Sequence, residues 1–131
     1  MAWWELVLEK IDVRDELYTP GRGPTGSRRK PFIIESIDPF EIIIASGKSE
    51  IRLEKKCFDV IEEAFIANPF LWLRVAALHD NEPFEDSVDK VVREATGSKL
   101  ARGNYICSIL QHSGLVRYSM QGNKKGVELS Q

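Results

Sequence analysis

Residues 86–131, DSVDKVVREATGSKLARGNYICSILQHSGLVRYSMQGNKKGVELSQ, decide the reading of this chain. Val88, Val91, Val92 and Ala95 recur at the i, i+3, i+4, i+7 spacing of one helix face, and Gly97 follows as a C-terminal stop. Ile106, Ile109 and Leu110 form the apolar stripe of a second helix that Gly114 ends. Leu115, Val116 and Tyr118 open a strand, Gly122-Asn123 with Lys124 and Lys125 turns it, and Val127 and Leu129 return. The order is helix, turn, helix, strand, basic turn, strand. Gly103 costs a helix about 1 kcal/mol relative to Ala. The second helix therefore starts either before Lys99 and Arg102 or, if residues 96–104 are a long turn, near Gly103.

Charge is distributed unevenly around this segment. From residue 98 onward, Lys99, Arg102, Arg117, Lys124 and Lys125 face the single acid Glu128, a local +4 in a chain of net charge −2. A polyphosphate attracts such a segment, because each neutralised phosphate releases condensed counterions. A second acid-free stretch, residues 20–30, holds Arg22, Arg28, Arg29 and Lys30. In bulk neither half is polybasic: residues 1–66 carry ten basic and thirteen acidic side chains, residues 67–131 eight and seven. Any nucleic-acid role rests on these local patches.

The phrase SGLVRYSMQGNKKGVELS, a glycine-terminated helix running into a two-strand basic hairpin, resembles the winged helix-turn-helix. With a preceding helix over residues 69–79, the likeness covers residues 69–131. It implies a DNA-binding module whose last helix enters the major groove while the hairpin touches backbone. The side of that helix away from Ile106, Ile109 and Leu110 offers Asn104, Ser108 and Gln111, with Lys99 and Arg102 at its start; these types hydrogen-bond base edges or phosphates. Lys124, Lys125 and Arg117 are the expected phosphate anchors. The second reading that the resemblance allows is a protein-interaction adaptor or dimerisation module on the same fold.

Working outward, PFLWLRVAALHD (69–80) has Pro69 at a first-turn position and apolar residues at 71, 73, 75, 76 and 78, which predicts that preceding helix. His79 and His112 read as helix-end residues favoured by the dipole. EKKCFDVIEEAFIA (54–67) places Phe58, Ile61 and Phe65 on one helical face and ends at Asn68-Pro69. Before it, PFIIESI, FEIIIAS and SEIRL are separated by the two-residue turn signals Asp38-Pro39 and Gly47-Lys48, the pattern of an antiparallel meander. Residues 19–27, with three glycines and two prolines, form a loop. MAWWELVLEKIDV fits a strand and a short helix equally well.

The rhythm from GSRRKPFII through IIIASGKSEI to CFDVIEEAF is similar to small β-sheet-plus-helix modules attached to restriction-endonuclease and related prokaryotic DNA-processing proteins. That likeness implies a second phosphate-contacting rim formed by Arg28, Arg29 and Lys30 with Lys48.

Other chemistry lacks its residues. Gly21 and Gly26 have phosphate-loop spacing, but Ser27 and Arg28 follow where Lys and Ser/Thr belong, and Gly47-Lys48-Ser49 has Ile42 in place of the first glycine. A metal-dependent nuclease needs converging carboxylates and a lysine; Glu35 or Asp38 with Glu50 or Glu54 is an incomplete match. Cys57 and Cys107 lie in apolar helical patterns and read as small buried hydrophobes. No apolar run reaches the roughly 18 residues that cross a bilayer, and the N-terminus lacks a signal-peptide pattern. The expectation is an α+β protein: a β-meander plus helix over residues 1–67, then a winged helix over 68–131. It is expected to be non-enzymatic and cytoplasmic, without cofactor or metal, and to bind double-stranded DNA as a transcription regulator or a specificity subunit. Trp3, Trp4 and Trp72 are candidates for a homodimer interface.

Overall fold

The computed structural model describes residues 2–76 and 81–130. The fold is α+β. Its elements run α1 (Trp3–Lys10), β1 (Glu16–Tyr18), β2 (Pro31–Ile37), β3 (Glu41–Ser46), β4 (Ser49–Glu54), α2 (Lys55–Ala67), β5 (Leu73–Arg74), α3 (Val88–Thr96), α4 (Gly103–His112), β6 (Val116–Gln121) and β7 (Lys124–Leu129).

The isoleucine-rich meander forms as its pattern predicts, with one strand more. The first sheet has the order β1-β2-β3-β4, antiparallel throughout. β1 is three residues long with only Leu17 buried, too short to register as a period in sequence. Between β2 and β3, Ile34 pairs with Ile44 but Ser36 with Ile43, so Glu35 sits in a bulge. The β2–β3 turn is built by Asp38, whose Oδ1 accepts from the backbone N–H of Phe40 (2.7 Å) and Glu41 (2.9 Å).

The ambiguous N-terminus is helical because its apolar residues are used at helical spacing. Trp4 and Val7 are buried, and the rings of Trp3 and Trp4 pack on Phe65 and Phe58 of α2 (centroids 5.9 and 5.3 Å apart). The Trp4 indole also donates to the Pro39 carbonyl. Trp3 and Trp4 thus pack within the chain, Trp4 buried and Trp3 half-buried. Trp72, also half-buried, lies over Gly126 of β7, where a Cβ would collide with its ring, and donates to Ser119.

The helix expected over residues 69–79 is not present in its described part. Pro69 and Phe70 lie in a turn, and Leu73–Arg74 is a strand pairing with Val127 and Gly126 of β7. The physical reason is visible in retrospect. Leu71, Leu73 and Val75 alternate, as a strand buried on one face requires, and tertiary pairing with β7 decided between the two periods. Residues 77–80, with Leu78 and His79, lie outside the described residues.

β5, β7 and β6 form a second sheet in that order, all antiparallel. α3 opens at Ser87, which accepts from Lys90 N–H, and stops at Gly97. α4 begins at Gly103, so the long turn over 96–104 is the correct reading. Its start is held by Asp89 of α3, whose Oδ1 accepts from the backbone N–H of Arg102 (2.9 Å) and Gly103 (2.7 Å). The buried apolar side chains of both halves, from Trp4 to Val127, form one cluster, and α2 packs against α3 across the expected unit boundary at residue 67. Cys57 and Cys107 are both buried in it, as expected. No helix among the described residues is long and apolar enough to cross a membrane.

Candidate nucleic-acid interface

The loop over residues 19–30 is a compact hairpin rather than a loose tether. Its base is closed by Thr19 N–H donating to the Lys30 carbonyl and Lys30 N–H to Thr19 Oγ1. Higher up, Arg22 and Ser27 exchange two backbone hydrogen bonds (2.6 and 3.0 Å). Gly21 lies at φ +69°, and any Cβ there would strike the Gly26 carbonyl, so glycine is required. Arg28 holds the left-handed conformation at φ +61°, uncommon for a side chain of its size. The effect is that Arg22, Arg28, Arg29 and Lys30 project from a defined frame.

That frame is fastened to the C-terminal hairpin. The Lys125 ammonium reaches from β7 to donate to the carbonyls of Pro20 (2.7 Å) and Gly23 (3.0 Å), with its charge 4.9 Å from the Tyr118 ring centroid. Burial lowers the Lys125 pKa from its ordinary value. Arg29 stacks on Tyr18 at 4.6 Å. Arg74 of β5 stacks on Phe84 at 3.8 Å, and its buried Nε has no hydrogen-bond partner among the described residues.

Between loop, β5 and hairpin tip lies a cleft of about 910 Å³. Its rim and walls carry Arg22, Arg28, Arg29, Lys30, Arg74, Lys124 and Lys125, and none of its described lining residues is acidic. Asn104 and Tyr105 bring the N-terminal end of α4 to its floor. Two patches separated by about a hundred residues in sequence therefore become one surface, in a concavity where like-signed potentials add. Arg28, Arg29, Lys30, Lys124, Lys125 and Asn104 meet here. Arg74 was hidden from sequence reasoning by the helix assigned to its segment; its only signal was the strand-like alternation of its neighbours.

A second hollow, about 430 Å³, adjoins the cleft and shares Thr19, Arg29 and Lys125 with it. Tyr18, Gln111, His112 and Tyr118 line it further.

Two residues expected at the surface are interior. Arg102 is 2% exposed. Its guanidinium donates to the Arg52 carbonyl (2.8 Å), Glu54 Oε2 (2.5 Å) and Thr96 Oγ1 (3.3 Å), tying the end of β4 to the α3–α4 turn. Ser108 is buried against β1, donating to the Tyr18 carbonyl at 2.5 Å. Tyr105 packs edge-on against Phe32 and donates to Ser46. The face of α4 assigned to base reading is thus covered by the N-terminal sheet, and Asn104 and Gln111 remain at its two ends. Lys99 is exposed in a different hollow, beside Arg93, Lys90, Glu82 and Glu94. Arg117 is exposed on β6 and paired with Glu128 at 3.5 Å. Among the described residues no three His, Cys, Asp or Glu side chains gather as a metal-binding group.

The chain was compared with protein-family models, curated proteins and solved structures, and matches none of them.

Proposed function

We propose that this protein is a non-enzymatic nucleic-acid-binding protein that seats the phosphodiester backbone of DNA in the basic cleft between the 19–30 loop and the β6–β7 hairpin. One observation carries the reading: seven cations from three chain segments surround one cleft that has no acid among its described lining residues. Guanidinium and ammonium groups on a shared concave wall are the arrangement that neutralises several phosphates at once. The order helix, turn, helix, strand, basic turn, strand over residues 88–129 is compatible with the winged-helix likeness, but the preceding helix of that likeness is absent in its described part, so the reading rests on the cleft. The covered face of α4 shifts the contact from a groove-reading helix to loop and hairpin.

Titration of fluorescently labelled DNA, duplex and single-stranded, across a series of salt concentrations tests this. Affinity is expected to fall linearly with salt on a log–log scale, with a slope that becomes shallower by about 0.7–0.9 for each cleft cation removed. Arg28→Ala with Lys124→Ala is the variant of choice, since neither side chain holds the fold together in any described contact. Absence of binding by both ligands at low salt ends the reading.

A protein-interaction adaptor is favoured by a different observation: Phe70 (95% exposed) and Ile66 (70% exposed) stand out at the end of α2 and the turn after it. Replacing both with serine would abolish adaptor binding and leave DNA affinity unchanged.

A further inference from the structure

Resting on that reading, we infer that the cleft takes a single strand, with phosphates along the cationic wall and one unstacked base turned past Arg29 into the adjoining hollow beside Tyr18 and Gln111. Three observations point there.

First, the cations ring a concavity between elements rather than lining one groove-reading helix. A duplex is gripped by a helix or ribbon that enters a groove, the major groove being about 12 Å wide. Here the helix in question is enclosed: Ser108 is bonded to the β1 backbone and Tyr105 is packed on Phe32. What remains is a concavity of about 910 Å³, the scale of pockets that enclose small ligands, about 300–1,000 Å³. A flexible strand can follow such a concavity more closely than a stiff, stacked duplex can.

Second, the cleft leads into a hollow with different chemistry. The hollow offers aromatic surface in Tyr18, which is 42% exposed, and hydrogen-bonding groups in Gln111 and His112. Roomy enough for a base, aromatic and able to both donate and accept, it suits a heterocycle rather than a phosphate, which the Glu16 carboxylate on its wall, accepting from the Tyr18 hydroxyl, would repel. Cationic groove plus neighbouring aromatic platform is the combination that holds single strands, each stacked base contributing on the order of tenfold or more in affinity.

Third, of the three residues that line both spaces, one can act in each. Arg29 lines cleft and hollow, and its guanidinium already lies 4.6 Å from the Tyr18 ring centroid. In that position its N–H groups can meet a phosphate while its plane extends the stacking surface toward an incoming base. Lys125 also lines both spaces and pins the loop carbonyls of Pro20 and Gly23.

The test uses the full chain and three labelled ligands: a 12-nucleotide thymidine strand, the same strand with abasic sites along its length, and a 12-base-pair blunt duplex, all at one low salt concentration. The intact strand is expected to bind at least tenfold more tightly than the duplex and about tenfold more tightly than the abasic strand. The double variant Tyr18→Ala, Gln111→Ala is expected to lose the preference for the intact over the abasic strand while its salt slope stays that of the wild type. Circular dichroism confirms that the variant is folded; if it is not, Gln111→Ala alone and the wild-type ligand comparison carry the test. A duplex bound as tightly as the strand, or an abasic strand bound as tightly as the intact one, overturns the inference while leaving the basic cleft as a nucleic-acid site. If no ligand binds, the proposed function itself fails.

Discussion

Lys124 and Lys125 are adjacent and identical in type, yet the structure divides their work. Lys124 is exposed at the cleft rim, whereas Lys125 is half-buried and holds the loop through two carbonyls. Lys124→Ala is expected to make the salt slope shallower with stability within about 0.5 kcal/mol of wild type. Lys125→Ala is expected to cost about 1 kcal/mol of stability as well, because two charge-assisted hydrogen bonds to the loop are lost; thermal unfolding beside the binding titration separates the two. Arg102 makes the same point more strongly. Burial is the largest influence on Glu54 and opposes its ionisation, but its own backbone N–H and the hydrogen bonds from Arg102 and Cys57 together outweigh it, so its pKa lies below the ordinary value. The folded state therefore holds fewer protons on this group than the unfolded state does. Its contribution is fully present above a pH of about 4.3, the ordinary glutamate value, and is lost as pH falls through the depressed one. A Glu54→Gln variant should melt below wild type at pH 7, and the gap should close as the pH drops below about 4. A gap independent of pH would place the effect in packing instead.

Among the elements, β5 and β7 are where local pattern and tertiary pairing disagreed. Residues 69–76 carry enough apolar residues for a helix, but β7 presents an open edge and a glycine over which Trp72 lies flat. Gly126→Ala brings a methyl group into the Trp72 indole and is expected to destabilise by about 1–3 kcal/mol, readable as a shift in urea midpoint and a changed tryptophan emission. Leu73→Ala, which vacates core volume from the same strand, is expected to cost about 2–4 kcal/mol. Other elements were legible because their periods are unambiguous: α2 through Phe58, Ile61 and Phe65, α3 through Val88 and Val92 between Ser87 and Gly97, and the meander through its isoleucines and turns. β1 was not, since three residues contain no period.

For the whole molecule, the continuous core has a thermodynamic consequence. Trp3 and Trp4 report on one half and Trp72 on the other, while α2 packs on α3 and α1 and β1 both contact α4. Unfolding is expected as one transition, with tryptophan emission and far-UV circular dichroism superimposing along a urea titration. Two separated transitions would show that the halves are independent units. The same packing explains the partial legibility of the site. Arg28, Arg29, Lys30, Asn104, Lys124 and Lys125 were recognisable as solvent-seeking polar residues in acid-free segments. Arg102 and Ser108 looked identical in sequence and went inside.

Periodicity, turn residues and local charge, all acting over a few residues, were determined by the sequence alone, because the backbone geometry of a helix or strand acts over the same range. Tertiary structure alone decided which cations share a cleft and which polar side chains are interior. Arg102 finds Glu54 at a separation of 48 residues, Ser108 finds Tyr18 at 90, and Lys125 finds Pro20 at 105. Contacts over such separations form only once the two sheets are docked on one core, and no local pattern encodes them.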